Sequence, residues 1–167
     1  LLLLKSGKCG HAVCIDVQDS SCKIAKNNAL QNGLSEKMTV VCSDILDFRC
    51  EREFDAFLCN PPYKKKDSGE KNLQPKIAMC RHEVTVTQEE IVKVASKKLK
   101  FGVRLCMCQR IERFTDLITE MRKNGLEPKT IQFVTTAIDN PPYLFLVNAV
   151  KGVKPQLKIP VNEINGV

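Results

Sequence analysis

The 167-residue chain has no long apolar run. The longest uninterrupted aliphatic stretch, Leu1-Leu2-Leu3-Leu4, is four residues, against about 20 for a membrane-spanning helix. A secretory leader carries its charge ahead of a longer apolar segment. Here Lys5 and Lys8 follow a short one, so neither a targeting segment nor a membrane partner is expected, and the cytoplasm is the expected location. None of the nine cysteines forms a C-x-x-C pair, and the histidines number only two, His11 and His82. That removes the usual spacings of zinc sites and thiol redox motifs. No metal is expected, and most cysteines are expected to act as small core hydrophobes in a reducing compartment. Internal repeats and linker-like stretches are also missing, which leaves one domain over residues 1–167 as the expectation. A further absence is G-x-G-x-x-G, the glycine turn that opens many nucleotide sites.

Charge is present and unbalanced. Twenty-six Lys and Arg against 19 Asp and Glu give a net charge of +7. A basic balance suits a polyanionic partner, because phosphate contacts release condensed counterions. It equally describes an ordinary solvated surface. The lysines gather at Lys64-Lys65-Lys66, at Lys97-Lys98 with Lys100, and from Lys151 to Lys158.

Apolar runs alternate with helical patterns. Short strands are expected at residues 12–15, 39–42, 54–59 and 103–108, with two more at 130–134 and 144–150. A helix is expected from Ser20 or Ser21 to Asn32, with Gly33 as its left-handed stop. A second begins at Thr87, whose Glu90 three residues on completes a capping box, and ends near Leu99. A third covers 113–124, closed by Gly125. Leu1 to Leu4 reads as the tail of a helix that follows a glycine loop lying upstream. Strands joined by helical crossovers imply an α/β fold of Rossmann-like type. Its sheet is expected to be mostly parallel and covered on both faces, with an antiparallel C-terminal hairpin.

Asn60-Pro61-Pro62-Tyr63 directly follows an apolar strand, at the carboxyl end where open α/β sheets bind ligands. The residue types fit chemistry on a planar amine, whose lone pair is delocalised into its ring. The Asn60 side-chain oxygen and the Pro61 carbonyl can each accept one N–H. Both bonds strengthen as the nitrogen becomes tetrahedral, which favours the transition state over the ground state. The prolines stiffen the turn, and Tyr63 offers a face for stacking on an exposed base. The plain alternative is an Asn-Pro turn ending a strand. The same four letters recur at Asn140-Pro141-Pro142-Tyr143. That copy precedes a strand and is read as a hairpin turn without a catalytic part. Two further strand ends carry acids. Asp16 is placed to accept ribose hydroxyls, and Ser43-Asp44 is placed to meet a cofactor adenine or to form an Asx turn.

These residues resemble the bacterial adenine-N6 methyltransferases that modify the adenosine beside the anticodon of a valine tRNA. The resemblance rests on Ile15-Asp16-Val17-Gln18, Cys59-Asn60-Pro61-Pro62-Tyr63, Cys80-Arg81-His82-Glu83 and Lys151-Gly152-Val153-Lys154-Pro155. It implies a Rossmann-like class I methyltransferase fold whose first strand and glycine loop have no counterpart in the sequence. It implies S-adenosylmethionine as cofactor, held by Asp16, Ser43, Asp44 and Asn60, and tRNA as partner. It implies Asn60, Pro61, Pro62 and Tyr63 on the target base. Lys64, Lys65, Lys66, Arg81 and His82 are the RNA-contact candidates. Two other functions stay open: methylation of a glutamine amide in a release factor, and an inactive remnant that binds RNA.

Overall fold

The computed structural model describes residues 1–61, 86–137 and 139–160. The chain divides into two compact units, Leu1–Arg49 and Cys50–Val167. In the first, a four-residue helix α1 (Leu2–Lys5) precedes strand β1 (Ala12–Asp16), helix α2 (Asp19–Gln31) and strand β2 (Met38–Cys42). β1 and β2 pair in parallel, with Ala12 opposite Met38 and Asp16 opposite Cys42. A small core of Leu4, Ala29 and Leu34 closes this unit. Leu2–Lys5 is helical, as the reading of the leucines requires. The N-cap of α2 is Gln18, with no side-chain cap bond, so neither Ser20 nor Ser21 caps it. Both serines lie inside the helix, because the Asp16 carboxylate already takes the Gln18 N–H at 2.8 Å and sets the chain direction one turn earlier. Gly33 stops the helix at φ 65°.

The second unit holds strands β3 (Phe54–Cys59), β4 (Leu99–Arg110), β5 (Leu126–Val134) and β6 (Leu144–Lys151). They form one sheet in the order β3-β4-β6-β5. β3 runs parallel to β4, and β6 runs antiparallel to both β4 and β5. The expected C-terminal hairpin is therefore present as β5 and β6. Among the described residues, parallel and antiparallel pairings are equal in number, two each. Helices α3 (Gln88–Lys98) and α4 (Phe114–Lys123) cover one face of this sheet. Thr87 caps α3 and closes the expected box: its Oγ1 accepts the Glu90 N–H at 3.2 Å, and Glu90 accepts the Thr87 N–H at 2.8 Å.

The core on that face comes from strand alternation. Leu105, Met107 and Gln109 of β4 and Phe145, Val147 and Ala149 of β6 point inward and are buried. They pack with Ile91, Val92, Ala95, Leu117 and Met121 from the helices. Phe114 of α4 meets Phe145 edge-on at 5.0 Å between centroids. On the opposite face Leu58 and Leu146 remain exposed, 60% and 43%, and among the described residues of this unit the two helices lie on the other face.

The cysteines depart from expectation. Of the eight described, only Cys22 is buried; Cys42 is exposed and the others are intermediate. Cys106 and Cys108 alternate with buried Met107 and so lie on the sheet face away from α3 and α4, whereas Cys59 packs against the core. Among the described residues no group of three His, Cys, Asp or Glu clusters as metal ligands do. No described helix is long and apolar enough to cross a membrane.

Candidate active site

In the first unit two strand ends bring the acidic candidates together. Parallel pairing sets Asp16 beside Cys42, and the Ser43 N–H donates to the Asp16 carbonyl at 3.0 Å. Asp16 Oδ1 accepts the Gln18 N–H at 2.8 Å. Asp44 Oδ1 accepts the Leu46 N–H at 2.9 Å, which is an Asx turn. Of the two readings of Ser43-Asp44, the Asx turn is the one present in the geometry. The turn consumes one oxygen and orients the other, while the Ser43 hydroxyl donates to the Asp44 carbonyl at 3.0 Å. Beneath Asp16, the buried Cys22 thiol donates to the Asp16 carbonyl at 3.3 Å and to the Val41 carbonyl at 3.8 Å. Burial, and then a bond to Cys42, push its pKa up, so it stays a neutral thiol.

In the second unit Asn60 and Pro61 emerge from the carboxyl end of β3. Register pairs Cys59 with Met107, so the turn leaves the sheet beside the last residues of β4. Asn60 is exposed and Pro61 buried: the ring anchors the turn and leaves the asparagine outward. Cys59, just before it, packs against the core, and burial raises its pKa from 9.0 to about 11. This thiol supplies packing at neutral pH, not a nucleophile. Asn60 also lines an open groove of about 490 Å³ with Leu58, Cys106, Cys108, Leu146 and Asn148, a volume in the range of small-ligand sites. The sequence reading missed this groove. Its one signal was the alternation Cys106-Met107-Cys108, which puts both cysteines on the face away from the core. A further groove of about 440 Å³ between α3 and α4 is lined by charged side chains. Some of these are already paired, as in Lys123–Glu120 and Arg113–Asp116.

Gln109 and Gln88 were also missed. Both are buried, and the Gln109 amide nitrogen donates to Gln88 Oε1 at 3.3 Å. This amide pair ties the first residue of α3 to the carboxyl end of β4, the same end that carries the turn.

The second Asn-Pro-Pro-Tyr copy lies in the connection between β5 and β6. Asn140 donates to Thr136 Oγ1 at 2.8 Å, and the Tyr143 N–H closes the hairpin on the Val134 carbonyl at 3.0 Å. It is a turn, as its position before a strand implies. Pro62, Tyr63, Lys64, Lys65, Lys66, Arg81 and His82 lie outside the described residues.

Comparison with known proteins follows the same lines. The chain matches the family model of the methyltransferase small domain over residues 1–124. It is 32% identical over 78 residues to the tRNA1(Val) (adenine(37)-N6)-methyltransferase of Vibrio campbellii, covering 47% of this chain and 32% of that protein. It is 28% identical over 152 residues to the enzyme of the same name from Porphyromonas gingivalis, covering 77% and 59%. The chain thus spans between a third and three-fifths of the length of these relatives. Among solved structures it resembles geranyl diphosphate C-methyltransferase from Streptomyces coelicolor A3(2), with TM-score 0.64, 12% identity and coverage of 90% and 66%. It also resembles the N-methyltransferase NodS from Bradyrhizobium japonicum, with TM-score 0.60, 15% identity and coverage of 87% and 69%. At such identities the likeness establishes the fold, a Rossmann-like class I methyltransferase. With three-quarters of its length matched, the chain belongs to the methyltransferase small domain family.

Proposed function

We propose that this protein takes part in S-adenosylmethionine-dependent methylation of an adenine N6 amine in tRNA. The observation that carries the reading is the Asn60-Pro61 turn at the carboxyl end of a parallel-paired strand, in a chain of a methyltransferase family. The relatives named for that reaction in Vibrio campbellii and Porphyromonas gingivalis support the choice of substrate. Such a substrate also fits a net charge of +7, and the proposed location is the cytoplasm.

The cofactor fits the residues present in one respect. Asp16 and Asp44 offer carboxylate oxygens at adjacent strand ends, the acceptors that ribose hydroxyls and an adenine amine require. When bound, S-adenosylmethionine supplies an electrophilic methyl group on sulfonium. The chain's own part is on the amine. The Asn60 side-chain oxygen and the Pro61 carbonyl accept its two N–H bonds and hold the lone pair toward the methyl carbon. As that nitrogen took up the methyl group, positive charge would grow on it and both hydrogen bonds from it to Asn60 and Pro61 would strengthen. The surplus proton leaves to solvent. No covalent enzyme intermediate is required.

The test is transfer of a labelled methyl group to unmodified tRNA, with a release factor as the competing substrate. Label in N6-methyladenosine of the digested tRNA is the expected result. Label in the protein alone would replace this reading with glutamine-amide methylation, and label in neither would leave the RNA-binding remnant.

A further inference from the structure

Two lysine clusters that lie about 50 residues apart in sequence meet in the fold. Residues 97–104 contribute Lys97, Lys98, Lys100 and Arg104, and residues 151–158 contribute Lys151, Lys154 and Lys158; neither stretch contains an acid. The Lys151 ammonium donates to the Leu99 carbonyl at 2.6 Å, and Lys129 donates to the Lys154 carbonyl. The segment after β6 lies along the edge strand β5, where the Lys158 N–H and carbonyl bond Lys129 and Ile131 at 2.8 and 3.1 Å. Lys98 caps the Cys50 carbonyl at 2.6 Å. These ammonium groups therefore bond carbonyls, which leaves their charge unneutralised among the described residues. The ion pair within the set is Lys100 with Asp55, at 2.6 Å.

At the centre of this ridge stands Phe101, 74% exposed. Gly102, at φ 77°, lies in the irregular stretch where the β3–β4 register shifts; such bulges re-aim side chains. The ring lies on the backbone of Gly152, so closely that a Cβ there would come within 1.9 Å of it. One ring face is thus seated on glycine, and the large exposure belongs to the rest. A seated aromatic among unneutralised cations is the combination that binds nucleic acid, with phosphates on the cations and a base on the ring.

Resting on the tRNA reading above, we propose that this ridge is a second RNA-contact surface, distinct from the Asn60 turn. β3 and β4 are parallel, so the turn lies at the carboxyl end of β4 and Phe101 near its amino end. At ~3.3 Å per residue the two are about 20 Å apart. The ridge therefore grips a part of the RNA remote from the target base, and its bound groups are phosphates and one unstacked base.

The experiment is equilibrium binding of fluorescent tRNA, and separately of fluorescent heparin, across a salt series. The proteins are the full chain, Phe101→Ala, and the triple variant Lys97→Gln, Lys154→Gln, Lys158→Gln, with folding checked by circular dichroism. The triple variant should weaken both ligands roughly tenfold or more and lower the salt slope for tRNA by about two. Phe101→Ala should weaken tRNA roughly tenfold and leave heparin within about twofold, because heparin has no base to stack. Unchanged tRNA binding in either variant, equal losses on heparin from Phe101→Ala, or no tRNA binding by the unmodified chain would overturn the proposal. A chain that binds tRNA through the ridge yet methylates no adenine would leave the ridge standing and remove the methylation reading instead.

Discussion

Two identical tetrapeptides separate residue identity from residue position. Asn60 follows a strand of the second unit and faces outward beside a groove, whereas Asn140 sits in a hairpin connection and spends its amide on Thr136. Under the proposed chemistry Asn60→Ala removes an acceptor whose bond strengthens in the transition state. It should lower single-turnover methylation by about 100-fold, with tRNA binding nearly unchanged. Asn140→Ala should leave the rate within a fewfold and cost only the hairpin bond. Equal rate losses at both positions would show that strand position does not pick the catalytic copy. Cys59 carries a separate prediction. Its thiol titrates near 11 when folded, against 9.0 for the ordinary group. A raised folded pKa leaves stability intact below about pH 9 and removes it as the pH climbs toward 11. The linkage is worth up to roughly 2–3 kcal/mol. Denaturant titrations from pH 8 to 11 should show that loss, and Cys59→Ala should make it smaller. A Cys59→Ala curve parallel to that of the unmodified chain would mean that groups other than Cys59 account for the whole effect.

At the scale of elements, legibility followed the local signals. β3 was legible to the residue because the Asn60-Pro61 breaker ends its apolar run. Helix α3 was legible because Thr87 and Glu90 carry a side-chain cap. Where the fold uses backbone devices instead, the sequence misleads. β4 begins four residues earlier than its pattern suggests, since Gly102 reads as a stop and acts as part of a bulge. β5 likewise begins at Leu126, four residues before the expected start, and its register shifts between Pro128 and Thr130. In the site, Asp16, Asp44 and Asn60 were legible as strand ends. The groove and the Gln88–Gln109 pair were not, because both depend on which strands become neighbours. The capping box gives the test at this scale. Thr87→Ala should destabilise the protein by about 1 kcal/mol and lower its melting temperature by a few degrees. Thr87→Asp, which can still accept the Glu90 N–H, should recover most of that. An unchanged melting temperature in Thr87→Ala would mean that packing of Ile91, Val92 and Ala95 alone fixes the start of α3.

The whole molecule divides its resources unevenly. Among the described residues, the core cluster of the second unit contains 13 buried residues, and that of the first contains three, Leu4, Ala29 and Leu34. Apolar burial is the main favourable term in folding, and local opening is easiest where little of it is lost. Yet the first unit bears Asp16 and Asp44, the acceptors proposed for the cofactor. Native-state hydrogen exchange should therefore find amides of β1 and β2 exchanging at least about tenfold faster than the core amides of β4 and β6. Adding S-adenosylmethionine at about 100 times its Kd should stabilise whatever binds it by roughly 2.7 kcal/mol, close to a hundredfold in exchange. That protection should concentrate on β1 and β2, because the slowest amides of β4 and β6 are already held by their own core. Protection spread evenly over both units would mean that they open together and that the uneven cores do not set local stability. Protection limited to β3 and β4 would move the cofactor away from Asp16 and Asp44.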